Sequence, residues 1–377
     1  MKNKDLKKDS YEDYVKRVSK ETIPCYEPSI GKEELKNLKN VIESNWLSEG
    51  KYVREFEEKL RISSQRQFSL AFNNCTAALI TGMKSFGIGN GDEVIVQSLV
   101  HSADPNAISA TGAKPIFAEV NENTMCLDIP NIKKALTPKT KAILHVALYG
   151  NTSNLDELQK FCKQNKLLLI NDCAPALFGY FRDKPIASYG DFSAISFFAD
   201  KTITTGEGGM LLTDNSNLIA EANIYKHDGR KERGVDLIER KGFNYRITEM
   251  QAAIGVAQIQ KSSFFIEKKR KNYDLYKSLL KKDQVKLFEF IDSTKNIPHR
   301  NVIFVPCAAK LISHLTSNGV GARTLFMPMH SQPVYNTKQD FPITEKLYKT
   351  GVCLPSAPTL KVKDIKYVCN LINSFYS

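Results

Sequence analysis

No apolar run in the 377 residues approaches the roughly 18 that a membrane-spanning helix needs, so no membrane partner is expected. The opening "MKNKDLKKDSYEDYVKRVSK" has no apolar core behind its lysines and does not read as a secretory signal. A cytoplasmic protein is expected. Metal-ligand spacing is missing as well. Cys25, Cys75, Cys126, Cys162, Cys173, Cys307, Cys353 and Cys369 stand singly, with no C-x-x-C pair, and the histidines do not cluster. Most of these thiols sit in apolar surroundings such as "KFCKQ" and "YVCNL", where a free cysteine behaves as a small hydrophobe. Neither disulfides nor a metal site are expected. There is no internal repeat.

Positive charge is present in excess. The formal charge of +12 raises the question of nucleic acid, but it is spread over many helices. It concentrates only at the N-terminus and in "EKKRKNYDLYKSLLKK" (267–282), whose helical spacing reads as a solvated face. No zinc-finger or RNA-recognition signature accompanies it, and nucleic acid is not expected as a partner. A basic surface equally suits an anionic small molecule. With 42% hydrophobic and 25% charged residues the composition is that of a soluble globular protein, long enough for about two domains.

From about residue 70 to 215 the pattern alternates. "DEVIVQS", "KPIFAEV", "KAILHVAL" and "LLLINDC" read as strands, while "ADPNAISATG" and "NLDELQKFCKQN" read as helices. Continuous apolar strands separated by short helices predict an α/β domain, a mostly parallel sheet covered on both faces. Residues 247–282 then read as one long helical stretch. A smaller unit follows, with strands "NVIFVP" and "ARTLFM" and helices "CAAKLISHLTSN" and "DIKYVCNLINSF". The expected division is a partly mobile segment 1–30, a large domain 31–262 and a small α+β domain 263–377.

In open parallel sheets, ligands sit beyond the carboxyl ends of the strands. "LLLINDC" puts Asp172 at such an end, where a buried aspartate is costly without a partner. It reads either as a helix cap or structural ion pair, or as the group that holds a proton on a ring nitrogen. Lys201 follows the strand "DFSAISFFA"; alone, it could simply reach solvent. Together the two suggest pyridoxal phosphate, with the lysine amine forming a Schiff base and the aspartate keeping the pyridinium protonated.

"SFFADKTITTGEGGM" resembles the lysine motif of the DegT/DnrJ/EryC1/StrS sugar aminotransferases. The resemblance covers nearly the whole chain. "IPCYEPSIGKEELKNL", "GIGNGDEVIVQSLV", "GAKPIFAEV", "LYGNTSNLDEL", "GFNYRITEMQAAIGVAQI" and "GVCLPSAPTL" follow in family order. It implies a fold-type I architecture around a seven-stranded sheet, with Lys201 as the Schiff-base lysine and Asp172 at the pyridine nitrogen. By the same resemblance Thr76 and Ser196 hold the phosphate, helped by the free amides where "CTAALITGM" opens a helix. Asn244 in "GFNYR" reaches the phosphate of a neighbouring subunit, which makes the protein a homodimer with shared sites. His101 stacks on the ring, and His330 and Arg323 lie on the sugar side, Arg323 able to meet a diphosphate bidentately. By themselves Thr76 reads as an N-cap, Ser196 as a strand residue, Asn244 as a turn residue and His101 as a satisfied polar side chain; "PMH" around His330 could be simple loop chemistry. Tyr149 and Tyr335 are further aromatic candidates.

Three positions depart from the family pattern: Cys75 stands at a cofactor-site position usually held by glycine, Asp200 replaces asparagine, and Pro175 replaces Glu, Gln or His. Pro175 has no side-chain donor, so contact to the ring hydroxyl has to come from elsewhere. The implied reaction is transamination from L-glutamate to a nucleotide-linked 4-keto-6-deoxyhexose. "NDCAPALFGYF" with "KTITTGEGGM" looks closest to members that aminate GDP-4-keto-6-deoxymannose at C4; UDP- or dTDP-linked sugars, or a 3-keto sugar, are the alternatives. Related sugar 3-dehydratases carry histidine in place of the lysine, so Lys201 argues against that activity. A non-catalytic regulator on the same fold is the remaining rival.

Overall fold

The computed structural model describes residues 22–377 apart from 233, 282, 292, 293 and 336. The large sheet is built from β1 (Phe68–Phe72), β2 (Glu93–Gln97), β3 (Lys114–Ala118), β4 (Thr140–Val146), β5 (Leu168–Asp172), β8 (Phe192–Ser196) and β9 (Gly209–Thr213). Two-residue strands β6 (Tyr180–Phe181) and β7 (Lys184–Pro185) pair beside it. The order is β1-β9-β8-β5-β4-β2-β3, parallel throughout except that β9 runs against both β1 and β8.

The unbroken apolar strands are explained by two cores. Ala71, Ile95, Ile143, Leu169, Ile195 and Met210 belong to one cluster, with Phe56, Leu158 and Val256 from three helices. Their strand neighbours Phe72, Val94, Ala142, Ile170, Ala194 and Leu211 belong to another, with Leu79, Ile108 and Leu218. Successive side chains point to opposite faces, and both faces are covered, so neither set can be polar. The carboxyl ends of β1, β4, β5 and β8 and the amino end of β9 fall along one edge.

The stretch 247–282, expected as one helix, is two: Glu249–Gln260 and Ser262–Leu279. Lys261 between them has φ −94° and ψ 0°, displaced from ideal helical values, and its side chain is drawn to the buried Glu34. The second helix spans two cores, with Phe265 in the large one and Tyr276 in the small one. The smaller unit contains β10 (Lys286–Leu287), β12 (Asn301–Phe304), β13 (Arg323–Thr324) and β14 (Gly351–Leu354), in the order β10-β12-β14-β13, with β11 (Thr294–Lys295) joining β6 instead. Helices Ala308–Ser317 and Val362–Phe375 cover it. Of the segment 1–30, residues 1–21 lie outside the described residues. Ile23 bridges Val320 and belongs to the small core.

Candidate active site

A cavity of about 460 Å³ opens at the carboxyl edge of the large sheet. Register explains its composition. Asp172 ends β5 between Val146 of β4 and Ala194 of β8, and Ser196, which ends β8, faces Gly209. β1 leads through Asn73 and Asn74 into helix Cys75–Ser85. Asn74 caps that helix by accepting from the Ala77 amide at 2.8 Å. The amides of Cys75 and Thr76, one turn too early to find a helical acceptor, belong to residues that line the cavity. The close approach of β9 to this helix start depends on Gly209. A Cβ there would come within 2.4 Å of the Asn74 carbonyl and 2.5 Å of the Cys75 nitrogen, so only glycine lets β9 press against the helix start.

The fold brings Cys75, Thr76, His101, Asp172, Ser196, Lys201 and Arg323 to this one cavity. Asn244 and His330 are not among its lining residues. Asn244 is exposed, its backbone bridged to His227. His330 is buried, its Nδ1 at 2.6 Å from the Ser98 hydroxyl and its ring 4.7 Å from that of Phe341. Tyr335 bonds Asn106 outside the cavity. Tyr149 is buried in the wall, stacked on Phe326, and accepts the Phe326 amide.

Sequence reasoning passed over Tyr26, Asp104, Glu207, His299, Arg300 and Phe326, which also line the cavity. Asp200 gathers three nitrogen partners, two of them cations: Lys201 Nζ at 3.5 Å, Arg300 at 2.5 Å and the imidazole of His299, Nε2 at 3.7 Å. Burial opposes its ionisation, but Lys201, His299 and Arg300 hold it well below the usual carboxylate range. Burial, and then the nearby Lys201 amine, push His299 down to about 3. The guanidiniums of Arg300 and Arg323 lie 5.1 and 4.9 Å from the Tyr26 ring. Both arginines, with Tyr149 and Phe326, also wall a second cavity of about 480 Å³ in the small unit.

Asp172 is pushed the other way. Burial raises its pKa, against the Ala174 amide, which donates to Oδ1 at 2.7 Å, and against Asp104, Lys201 and His101. His101 accepts the Ala103 amide on Nδ1; enclosure, and then Lys201, lower its pKa, which favours the flat neutral ring. Burial raises the Cys75 thiol well above its ordinary value, with Asp172 and Asp104 adding to the effect, so it is no nucleophile.

The residues present fit pyridoxal phosphate. A lysine amine, a strand-end carboxylate, a helix start for the phosphate and a flat imidazole meet around one space. Asp104 Oδ1, buried beside it, has no hydrogen-bond partner among the described residues.

Residues 28–373 match the DegT/DnrJ/EryC1/StrS aminotransferase family. The GDP-perosamine synthase of Escherichia coli O157:H7 is 36% identical over 94% of this chain and 99% of its own. That of Vibrio cholerae is 33% identical over the same shares. Among solved structures, S. venezuelae DesV in complex with a ketimine intermediate superimposes with a TM-score of 0.87 at 26% identity, covering 91% of this chain and 94% of that one.

Proposed function

The chain belongs to the DegT/DnrJ/EryC1/StrS aminotransferase family, and on that premise we propose that it transfers the amino group of L-glutamate to C4 of a nucleotide-linked 4-keto-6-deoxyhexose, GDP-4-keto-6-deoxymannose in particular. The product is then an amino sugar for surface polysaccharide. The enzyme is a pyridoxal-phosphate-dependent sugar aminotransferase. The observation that carries the reading is the meeting of Lys201, Asp172 and the start of helix Cys75–Ser85 on one cavity. The GDP-sugar preference rests on the two perosamine synthase relatives.

When bound, pyridoxal phosphate supplies an aldehyde that amines attack and a ring that takes up electrons. Lys201 is the anchoring amine; its Nζ would take the proton from the donor's α-carbon in the first half-reaction and, in the second, deliver one to the sugar carbon. Asp172 accepts the hydrogen bond of the ring nitrogen. The Cys75 and Thr76 amides with the Thr76 and Ser196 hydroxyls would receive the phosphate, and the His101 imidazole would pack against the ring. Asn244 completes the phosphate site of a second subunit. Arg323, with Arg300 beside it, meets the substrate's diphosphate at the wall shared by the two cavities. Tyr149 and Phe326 exclude water from that wall.

The test is the visible spectrum of the protein with pyridoxal phosphate. A yellow band is expected that L-glutamate bleaches, that a keto-sugar restores, and that Lys201→Ala removes. Restoration by the GDP-linked sugar, but not by UDP- or dTDP-linked ones, would fix the nucleotide. A folded wild type with no band would leave the regulatory reading standing.

A further inference from the structure

Asp104 is the second residue of helix Ala103–Thr111. An acid in a first turn ordinarily faces solvent and complements the helix dipole. This one is 1% exposed and lines the same cavity as Asp172, itself 5% exposed. The two carboxyls lie within hydrogen-bonding reach of each other on the cavity wall. Two carboxylates cannot share a hydrogen bond unless one of them keeps its proton. Asp172 is the better-supported anion, since its Oδ1 already receives the Ala174 amide. Asp104 Oδ1 receives nothing.

We propose that Asp104 is a positioning residue for Asp172: its carboxyl stays protonated and donates to Asp172, so that the pair holds one proton and one negative charge. Burial and the Asp172 charge both push Asp104 well above the ordinary range, with Lys201 acting against them. The other titratable group facing the pair from a neighbouring element is the thiol of Cys75, itself neutral; Cys173 and His101 face Asp172. A single anion at the ring nitrogen would match the single charge of a protonated pyridine, where two bare carboxylates would overcompensate it. Asp104 also fixes the orientation of Asp172 at a place where Pro175, which lines the same cavity, offers no donor.

The inference rests on the cofactor reading above, but its first readout needs no cofactor. In the apoprotein at neutral pH, an infrared difference spectrum of wild type minus Asp104→Asn is expected to show the carbonyl stretch of a buried carboxylic acid. Asp172→Asn should shift the same band, because the proton of Asp104 then no longer meets a carboxylate. With the cofactor added, Asp104→Asn still donates an N–H and should bind within about 3-fold of wild type. Asp104→Ala, with no donor, should bind roughly 10-fold or more weakly, the loss expected for a hydrogen bond to a charged group, and shift the pH midpoint of the visible band. No carboxylic-acid band in the apoprotein overturns the proposal. So does equal behaviour of the Asn and Ala variants, which would mean Asp104 only fills space. A wild type with the infrared band but no yellow band would overturn the cofactor reading instead.

Discussion

Buried acids in this chain take opposite protonation states, and the partners decide which. Asp104 and Asp172 have mostly each other, whereas Asp200 has the Lys201 amine, the Arg300 guanidinium and the His299 imidazole. Glu49 belongs with Asp200. Its carboxylate takes Lys226 Nζ and His227 Nε2, each at 2.7 Å, and His227 Nδ1 faces the Asn223 carbonyl at 2.8 Å. Both ring nitrogens therefore face oxygen partners. Burial opposes ionisation of Glu49, but His227 and Lys226 hold its pKa down to about 2. A depressed carboxyl adds stability above its unfolded pKa of about 4.3 and loses it as pH falls. Glu49→Gln should therefore cost about 3 kcal/mol near neutral pH, with the gap to wild type closing between about pH 4 and 2; urea unfolding across that range checks it. Lys201 and Asp172 were legible because strand ends and a glycine-rich motif mark them. Asp104 was not, since a first-turn acid looks like ordinary dipole chemistry until its burial is known. His299 and Arg300 reach the cavity from the start of β12, a meeting that only the fold of the small unit creates.

At the scale of elements, the same division between local signal and long-range pairing recurs. Strands β2, β4 and β5 announce themselves as apolar runs bounded by turns, because both faces of the sheet are buried. Two-residue strands such as β6, β7 and β11 carry no period to read. The break at Lys261 has neither proline nor glycine to mark it; its pull toward Glu34 lies more than 200 residues away in sequence. Glu249 is a similar case. Its carboxylate accepts the amides of Gly50, Tyr52 and Val53 at 2.8, 2.6 and 3.2 Å, capping helix Lys51–Ser64, whose own N-cap Gly50 has no side chain. Glu249→Ala should cost about 1 to 3 kcal/mol in thermal or denaturant unfolding. Gly209→Ala tests a different coupling. The new methyl pushes against the Asn74–Cys75 backbone, so a stability loss of about 1 to 3 kcal/mol should come with weakened cofactor binding. Full retention of pyridoxal phosphate by a destabilised Gly209→Ala would show that the helix start is not the phosphate cradle.

At the scale of the molecule, no helix among the described residues is long and apolar enough to cross a membrane, yet large apolar side chains stand exposed. Trp46, Leu47, Leu237, Ile238, Phe243 and Met250 are among them. Leu47 accepts the Glu249 amide, and Phe243 stacks on Tyr245, whose carbonyl takes the Asn73 amide at the start of the cofactor helix. Leu47 and Phe243 are thus tied to elements that bear on the site, and Asn244, next to Phe243 in the chain, stands exposed. On the homodimer reading proposed above, exposed apolar surface of this kind would be covered by the partner subunit, and a two-fold contact would carry Asn244 of each subunit toward the other's cavity. The consequence is complementation. Lys201→Ala and Asn244→Ala homodimers should each be inactive or nearly so. In a mixed dimer, the Asn244→Ala subunit keeps Lys201 and receives the intact Asn244 of the Lys201→Ala subunit, so one site is whole. Mixing the two variants under subunit exchange should restore activity that neither shows alone. If exchange is demonstrated by mass and activity stays absent, each site is built within a single chain, and Asn244 acts, if at all, inside its own subunit.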